Sequence, residues 1–288
     1  MIDHETGFIK IEQFSVTTDN EFRTAAEKLK AQGMKKLILD LRNNAGGVMQ
    51  SATKVADEFL AANKLIVSTK GKHSKERLYK ATAEGILEKT QVVVLINENS
   101  ASASEIVAGA LQDQDRAEIV GRRSFGKGLV QEDMRLRDNS SLRLTVARYY
   151  TPTGRSIQKP YNGNIEEYYH DRIDRYDNGE LYAPDSSKFV DSLKFVTPKG
   201  KVVYGGGGIM PDVFVPLDTV SDALLNDFIR FSEKEFKVKV NQEDLKTSRE
   251  LIKNFLKAEI ARQIWTENGY YTVMNRFDKE VQKALESF

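Results

Sequence analysis

Gln91-Val-Val-Val-Leu-Ile96, Asn97-Glu-Asn-Ser-Ala-Ser-Ala-Ser-Glu105 and Ile106-Val-Ala-Gly-Ala-Leu111 follow one another without a break, and their order decides the fold. The first run is short, apolar and β-branched, as a strand buried on both faces requires. The second is polar and closes on Ser102-x-x-Glu105, a capping-box pattern ahead of the helical third run. Strand, polar loop and helix in this order form one unit of an α/β sheet whose loops gather at one edge.

The same unit stands upstream. Leu37-Ile-Leu-Asp-Leu41 reads as a buried strand, Arg42-Asn43-Asn44-Ala45-Gly46-Gly47 as a glycine turn, and Val48, Ala52, Val55, Phe59 and Leu60 as the apolar side of a helix. Before it, Gly7 to Glu12 alternates like a strand. A helix follows with Thr18-x-x-Glu21 as a capping box, Phe22, Ala25, Ala26 and Leu29 on one face, and Gly33 as its stop. Downstream, strands are expected at Ala117–Gly121, Gly128–Leu136 and Ser140–Tyr150, the last two as an antiparallel pair about Asp138-Asn139, before Thr151-Pro-Thr-Gly154 turns the chain.

From Asn162 to Lys199 polar and aromatic residues mix with no clear period, which predicts an irregular surface excursion. After Pro211 and Pro216 the pattern turns helical, first through Leu251, Ile252, Phe255, Leu256, Ile260 and Ile264, then through Phe277, Val281, Ala284 and Leu285. The expected organisation is a core over residues 1–216 and a helical extension over 217–288.

Composition narrows the chemistry. At 288 residues the chain can bury a large core, and 43 basic against 42 acidic side chains leave a net charge of +1 with no long basic run, so nucleic acid is not an expected partner. No window approaches the roughly 20 apolar residues of a membrane span, and the N-terminus lacks a signal peptide's apolar core. Cysteine is absent, which removes thiol nucleophiles, thiolate metal sites and disulfides. His4, His73 and His170 are scattered among polar residues without metal-ligand spacing, so a metal site is not expected.

What remains is a serine and a lysine. A lysine held neutral in a dry pocket can take the proton of a serine where no histidine serves. Lys127 lies between Gly126 and Gly128, which permit close backbone approach, and Phe125, Leu129 and Val130 offer apolar surroundings that would disfavour its ammonium form. Ser100, Ser102 and Ser104 are equally available hydroxyls on local sequence, and Ser102 could simply cap a helix. Gly121-Arg-Arg-Ser-Phe-Gly126-Lys127 also satisfies a phosphate-loop pattern. That pattern fails at Gly128, where a magnesium-binding hydroxyl is needed, and at Leu129–Leu136, which reads as strand and not helix.

Taken together, Leu39-Asp-Leu-Arg-Asn-Asn-Ala-Gly-Gly47, Ser100-Ala-Ser-Ala-Ser-Glu105, Gly126-Lys-Gly-Leu-Val-Gln131, Tyr150-Thr-Pro-Thr-Gly-Arg-Ser-Ile-Gln158 and Gly206-Gly-Gly-Ile-Met-Pro-Asp212 resemble the carboxyl-terminal processing (tail-specific) protease family of serine peptidases. The motifs stand in the family's order and approximate spacing from residue 7 to about 216. The resemblance implies a crotonase-like α/β core with a mixed sheet and flanking helices, followed here by the helical extension. It makes Ser102 the nucleophile, Lys127 the general base and Gln131 the side chain that orients the lysine. The backbone N–H of Ala103 and one from Gly46 or Gly47 would form the oxyanion hole. Asp113 and Arg42 fall in family motifs too, and structural roles are expected for both.

The implied reaction is endopeptidase hydrolysis through an acyl-enzyme, without cofactor, on a polypeptide bound as an extended strand and cut near its C-terminus. A periplasmic or otherwise extracytoplasmic setting is implied, with no stable membrane insertion of this chain; oligomeric state stays open. The family's PDZ domain and export signal normally precede the strand at Gly7. This sequence begins at the protease core, so the expectation is a shortened chain or a family member without that regulator. Two alternatives stay open: a non-catalytic binding module or latent protease on the same fold, and a crotonase-like acyl-CoA enzyme that would not need the serine and lysine together.

Overall fold

Two of the apolar runs lie side by side. In a computed structural model of the chain, which describes residues 1–161, 163–183, 185, 190–217, 222–274 and 277, β2 (Lys36–Asp40) and β5 (Gln91–Ile96) pair in parallel. β1 (Thr6–Lys10) flanks β2, while β6 (Glu118–Gly121) and then β11 (Val213–Phe214) flank β5, giving a five-stranded sheet of order β1-β2-β5-β6-β11, parallel throughout. Parallel neighbours need crossover connections, and α1 (Thr18–Ala31), α2 (Met49–Asp57) and α3 (Ala103–Asp113) lie in them.

Burial follows the periodicity. Leu37 and Leu39 of β2, Val94 and Ile96 of β5, and Ile119 of β6 are buried in one core with Phe22 and Ala26 of α1, Val55 and Ala56 of α2, and Val107 and Leu111 of α3. The Phe22 ring tilts against Phe59 with centroids 5.8 Å apart. Every residue of α3 is buried, which explains a helix with almost no polar face. Thr18 opens α1 and does not cap it: Thr17 holds the cap position, and the Thr18 hydroxyl donates to the Gln13 carbonyl (3.1 Å).

The antiparallel strands gather in a second sheet of order β4-β3-β8-β7, made of β3 (Leu65–Lys70), β4 (Arg77–Lys80), β7 (Leu129–Arg135) and β8 (Ser141–Tyr150). The α/β core therefore sorts its parallel and antiparallel strands into separate sheets. β7 and β8 form the expected hairpin, and Asn139 takes the left-handed backbone (φ 69°) at its turn.

The stretch after Asn162 is not irregular throughout. α4 (Ile165–Asp177) occupies its first part, with the Asn164 side chain accepting the N–H groups of Glu166 and Glu167. Its larger apolar residues Ile165, Tyr169 and Ile173 are exposed. The helix therefore carries no apolar stripe for a periodicity reading to find, and it is docked through a buried arginine described below. β9 (Lys194–Val196) and β10 (Val202–Tyr204) then form a two-stranded antiparallel ribbon.

The chain divides into two compact units, Met1–Pro216 and Leu217–Phe288. The second contains α5 (Asp222–Phe236) and α6 (Gln242–Met274), where Ala258, Ala261 and Val273 form a small apolar cluster of their own. Val281, Ala284 and Leu285 of the second helical pattern lie outside the described residues.

Candidate active site

Three neighbouring parallel strands deliver the site. The chain leaves β2 toward Gly46-Gly47, β5 toward Ser102 and β6 toward Lys127, so all three loops emerge at the carboxyl edge of the sheet, where α/β folds place their ligand sites. The loops are laced together. The Asn97 side chain accepts the Asn43 N–H (2.9 Å) and donates to Asn43 Oδ1 (2.8 Å), Ala101 N–H donates to the Asn44 carbonyl (3.0 Å), and Phe125 N–H donates to the Ser100 carbonyl (2.9 Å). A cavity of about 700 Å³, lined by Lys30, Lys35, Lys36 and Lys89 together with Glu5 and Glu88, opens at the opposite edge, where β2 and β5 begin.

The three candidate serines separate cleanly. Ser100 is buried, its Oγ accepting the Asn97 N–H (2.9 Å) and donating to the Leu41 carbonyl (2.8 Å). Ser104 is buried and donates to the Asn44 carbonyl (2.9 Å). Ser102 is half-buried at the cap position of α3 and forms a capping box with Glu105; the Glu105 N–H points chiefly at the Ser102 carbonyl (2.9 Å), which leaves the Ser102 hydroxyl beside it without a hydrogen bond of good geometry. Its backbone is held at φ 55°, ψ −111°, a conformation that costs a non-glycine residue about 1–3 kcal/mol and persists only where its surroundings impose it.

Glu105 supplies much of that imposition. Fully buried, its carboxylate accepts four donors: the Ser102 N–H (2.8 Å) and Lys127 N–H (2.9 Å) on one oxygen, and the Ser124 hydroxyl (2.5 Å) and Gly126 N–H (2.7 Å) on the other. Burial pushes this carboxyl above the usual range, with the four donors pulling the other way. Tyr149, on β8, makes a second bridge, its hydroxyl standing within hydrogen-bond distance of the carbonyls of Ser102 (3.0 Å) and Lys127. Burial, and then the Glu105 charge, raise the Tyr149 hydroxyl well above the ordinary tyrosine value, so it stays a donor.

Lys127 is thus fixed by its backbone and free in its side chain. Among the described residues no carboxylate pairs with its ammonium, and Ser102 Oγ and Lys127 Nζ make no hydrogen bond with each other. Phe125 faces away toward α4, where Tyr168 packs edge-on at 5.7 Å and Lys159 Nζ lies 3.9 Å from its ring centre.

The two glycines differ as sharply as the serines. Gly46 (φ 99°) is buried against the serine: a Cβ there would sit 2.7 Å from Ser102 Cβ and 2.9 Å from the Ala103 nitrogen. Its N–H is taken by Asn44 Oδ1 (2.8 Å). Gly47 is exposed; it bridges to Phe14 through its neighbours, Phe14 N–H donating to the Gly46 carbonyl and Val48 N–H to the Phe14 carbonyl, so its own N–H points away. Among the described residues the N–H groups of Gly47 and of Ala103, the first residue of α3, have no acceptor.

Gln131 stands apart. It is exposed on β7, donates weakly to Thr145 Oγ1 (3.4 Å) and does not bond Lys127; opposite Val130 and Gln131 the pairing skips Val146 of β8. A different glutamine pins the loop: Gln158 Oε1 accepts the Gly128 N–H (2.9 Å). Asp113 is buried against Arg155 (2.7 Å) and accepts the Thr153 N–H and hydroxyl, and Arg42 pairs with Asp40 (2.7 Å), so both brace loops. Beyond Lys127 the chain enters β7, not a helix, which leaves the phosphate-loop pattern without its anion site.

Glu105, Tyr149, Asn44 and Gln158 were not legible as site residues. Glu105 offered a signal in its capping-box spacing, Asn44 in the motif from Leu39 to Gly47 and Gln158 in the motif that ends on it; nothing in the sequence marks Tyr149.

Comparison with known proteins identifies the family. The model of peptidase family S41 matches residues 5–166, and that of a family of unknown function matches residues 218–266. A carboxy-terminal-processing protease of Bartonella bacilliformis is 43% identical over 162 residues, covering 54% of this chain and 37% of that protein. A carboxyl-terminal-processing protease of Synechocystis is 41% identical over 153 residues, covering 53% and 35%. The chain therefore spans little more than a third of these relatives. A solved photosystem II D1 C-terminal processing protease superposes with a TM-score of 0.53 at 29% identity, covering 74% of this chain and 43% of that one. With more than half of its residues inside the matched region, this chain belongs to peptidase family S41.

Proposed function

We propose that residues 1–216 form the protease core of a serine endopeptidase in which Ser102 attacks and Lys127 is the general base, with residues 217–288 as a helical extension. The observation that carries this reading is the difference among the serines. Ser100 and Ser104 are buried and committed, whereas Ser102 holds a half-buried hydroxyl, with no hydrogen bond of good geometry, on a strained turn at the start of α3. Strain at a strand-to-helix turn is how a nucleophile is raised above its sheet.

In this reading Lys127 Nζ takes the Ser102 proton as Oγ adds to the scissile carbonyl carbon. Gly47 N–H and Ala103 N–H, both without acceptors among the described residues, donate to the oxyanion; Gly46, its N–H spent on Asn44, supplies the space. Collapse breaks the C–N bond, and the proton on Lys127 goes to the departing amine. Water then attacks the acyl-enzyme, giving a proton to Lys127, which returns it to Ser102 Oγ as the acyl C–O bond breaks and a carboxylic acid leaves. No cofactor takes part, and Gln131, which does not bond Lys127 in this geometry, is the side chain that would orient the lysine once its amine turns to the serine.

The substrate is a polypeptide laid as an extended strand. β7, which leads straight out from Lys127, is an edge strand of its sheet and supports that mode of binding. The relatives' names favour cutting near C-termini, and a setting outside the cytoplasm follows from the family resemblance. The absence of a Ser102–Lys127 hydrogen bond favours a second reading, a latent form whose lysine side chain must swing to the serine when substrate enters. Cleavage of an unstructured polypeptide by the purified chain, lost in both Ser102→Ala and Lys127→Ala, is the expected result. Equal cleavage by Ser102→Ala overturns the proposal.

A further inference from the structure

The segment that carries Lys127 has no regular secondary structure, so the partners of its backbone groups can be followed one by one. On the donor side, Ser124 N–H reaches the Ile209 carbonyl, Phe125 N–H the Ser100 carbonyl, Gly126 and Lys127 N–H the Glu105 carboxylate, and Gly128 N–H Gln158. On the acceptor side, the carbonyls of Gly126, Lys127 and Gly128 take the Lys159 N–H, the Tyr149 hydroxyl and the Tyr149 N–H. The remaining three, at Arg123, Ser124 and Phe125, all turn to one side chain of α4. Arg175 Nη1 donates to the Arg123 (3.3 Å) and Ser124 (2.8 Å) carbonyls, and Nη2 to that of Phe125 (3.1 Å).

The geometry points to Arg175 as a positioning residue for the general base, and to α4 as part of the active site. This inference rests on the reading of Lys127 as that base. Arg175 is 2% exposed and is itself aimed by charge: Asp171 Oδ2 lies 3.0 Å from its Nε and Glu180 Oε1 at 4.0 Å. Glu180 also pairs with Arg123 (2.5 Å), and Asp171 with Lys159 (3.0 Å), whose ammonium packs on the Phe125 and Tyr168 rings. A planar fork can serve several carbonyls at once, which a lysine ammonium at the end of a flexible stem cannot do with the same geometry. Glu105 therefore holds the loop from the α3 side and Arg175 from the α4 side, leaving the Lys127 side chain as the one part free to move.

Losing the fork leaves three carbonyls in a largely buried loop without donors, and the loop must shift to find others. A misplacement of about 1 Å costs about 100-fold in rate. The test compares wild type, Arg175→Ala and Arg175→Lys for cleavage of an unstructured polypeptide, with Ser102→Ala as the blank, and follows hydrogen exchange at the Gly126, Lys127 and Gly128 amides.

The inference expects Arg175→Ala to lose about 100-fold in kcat with KM within about threefold, Arg175→Lys to lose about tenfold, and millimolar guanidinium to restore part of the Arg175→Ala loss. Exchange at the three amides should quicken at least about tenfold in Arg175→Ala. A kcat within about threefold of wild type in Arg175→Ala overturns the inference while leaving the Ser102–Lys127 reading intact. If Arg175→Ala does not fold, an unchanged kcat in Arg175→Lys overturns it equally. If wild type and Ser102→Ala cleave alike, the dyad reading has failed, and unchanged exchange at the three amides then refutes the anchoring role.

Discussion

Ser102 and Lys127 are tied together through one oxygen atom: Glu105 Oε2 accepts the backbone N–H of both, at 2.8 and 2.9 Å. The two residues lie on loops that follow adjacent strands, and Tyr149 joins them again through their carbonyls. Nucleophile and base candidates thus share a frame that does not depend on their side chains meeting. Such a frame fixes the distance the lysine must cover and leaves the crossing to its own rotamers.

That frame makes the buried carboxyl a pH-dependent part of the fold. Burial raises the folded value of Glu105 above 4.5, so the folded state keeps a proton that the unfolded state has already lost. Its contribution to stability is fully present below pH 4.5 and is lost as pH rises through the folded value. The stability advantage of wild type over Glu105→Gln should therefore shrink with rising pH. Urea unfolding of both proteins from about pH 4 to 7 measures it, and an advantage that grows with pH contradicts the account.

Ser100, Ser102 and Ser104 should respond to alanine in two distinct ways. Ser100→Ala removes the acceptor of the buried Asn97 N–H, and Ser104→Ala leaves the Asn44 carbonyl with one donor fewer. Each should cost about 1–2 kcal/mol in unfolding free energy while keeping cleavage. Ser102→Ala should abolish cleavage with stability within about 0.5 kcal/mol of wild type. Denaturation curves paired with peptide-cleavage assays separate the three.

Gly46→Ala should act on the serine beside it. The new Cβ meets Ser102 Cβ and the Ala101 carbonyl at 2.7 Å, on a backbone at φ 99°. Cleavage should fall at least about 100-fold, with about 1–3 kcal/mol of stability lost to strain. Near-wild-type turnover in a folded Gly46→Ala protein counts against the site as described.

Tyr149→Phe keeps the ring and removes the hydroxyl that bridges the carbonyls of Ser102 and Lys127. A loss of about 1–2 kcal/mol in stability is expected, with a fall in kcat larger than any change in KM. Steady-state kinetics beside a thermal melt checks both parts.

The sequence made the frame of this site readable and hid most of its wiring. Strands β2, β5 and β6 announce themselves because a strand buried on both faces must be apolar along its whole length, and glycines mark the turn at Gly46-Gly47. Choosing Ser102 over Ser100 and Ser104 took the wider motif pattern, since hydroxyls two residues apart differ only in what the fold packs around them. Glu105 read as half of a capping box, and the box is present; its bonds to Ser124, Gly126 and Lys127 come from a loop about 20 residues away that no local spacing reveals. α4 went unread because a guanidinium on three carbonyls docks it where an apolar stripe would have shown. Gln131 shows the converse: it stands in the matching motif, yet on the exposed edge strand β7 its side chain bonds Thr145 across the hairpin and not Lys127.

The most direct measurement of the central claim is covalent labelling of the purified chain by a fluorophosphonate probe, mapped by peptide mass spectrometry. The account predicts a single adduct on Ser102, formed about 100-fold more slowly in Lys127→Ala and absent in Ser102→Ala. Labelling that misses Ser102, or a rate that Lys127→Ala leaves unchanged, contradicts it.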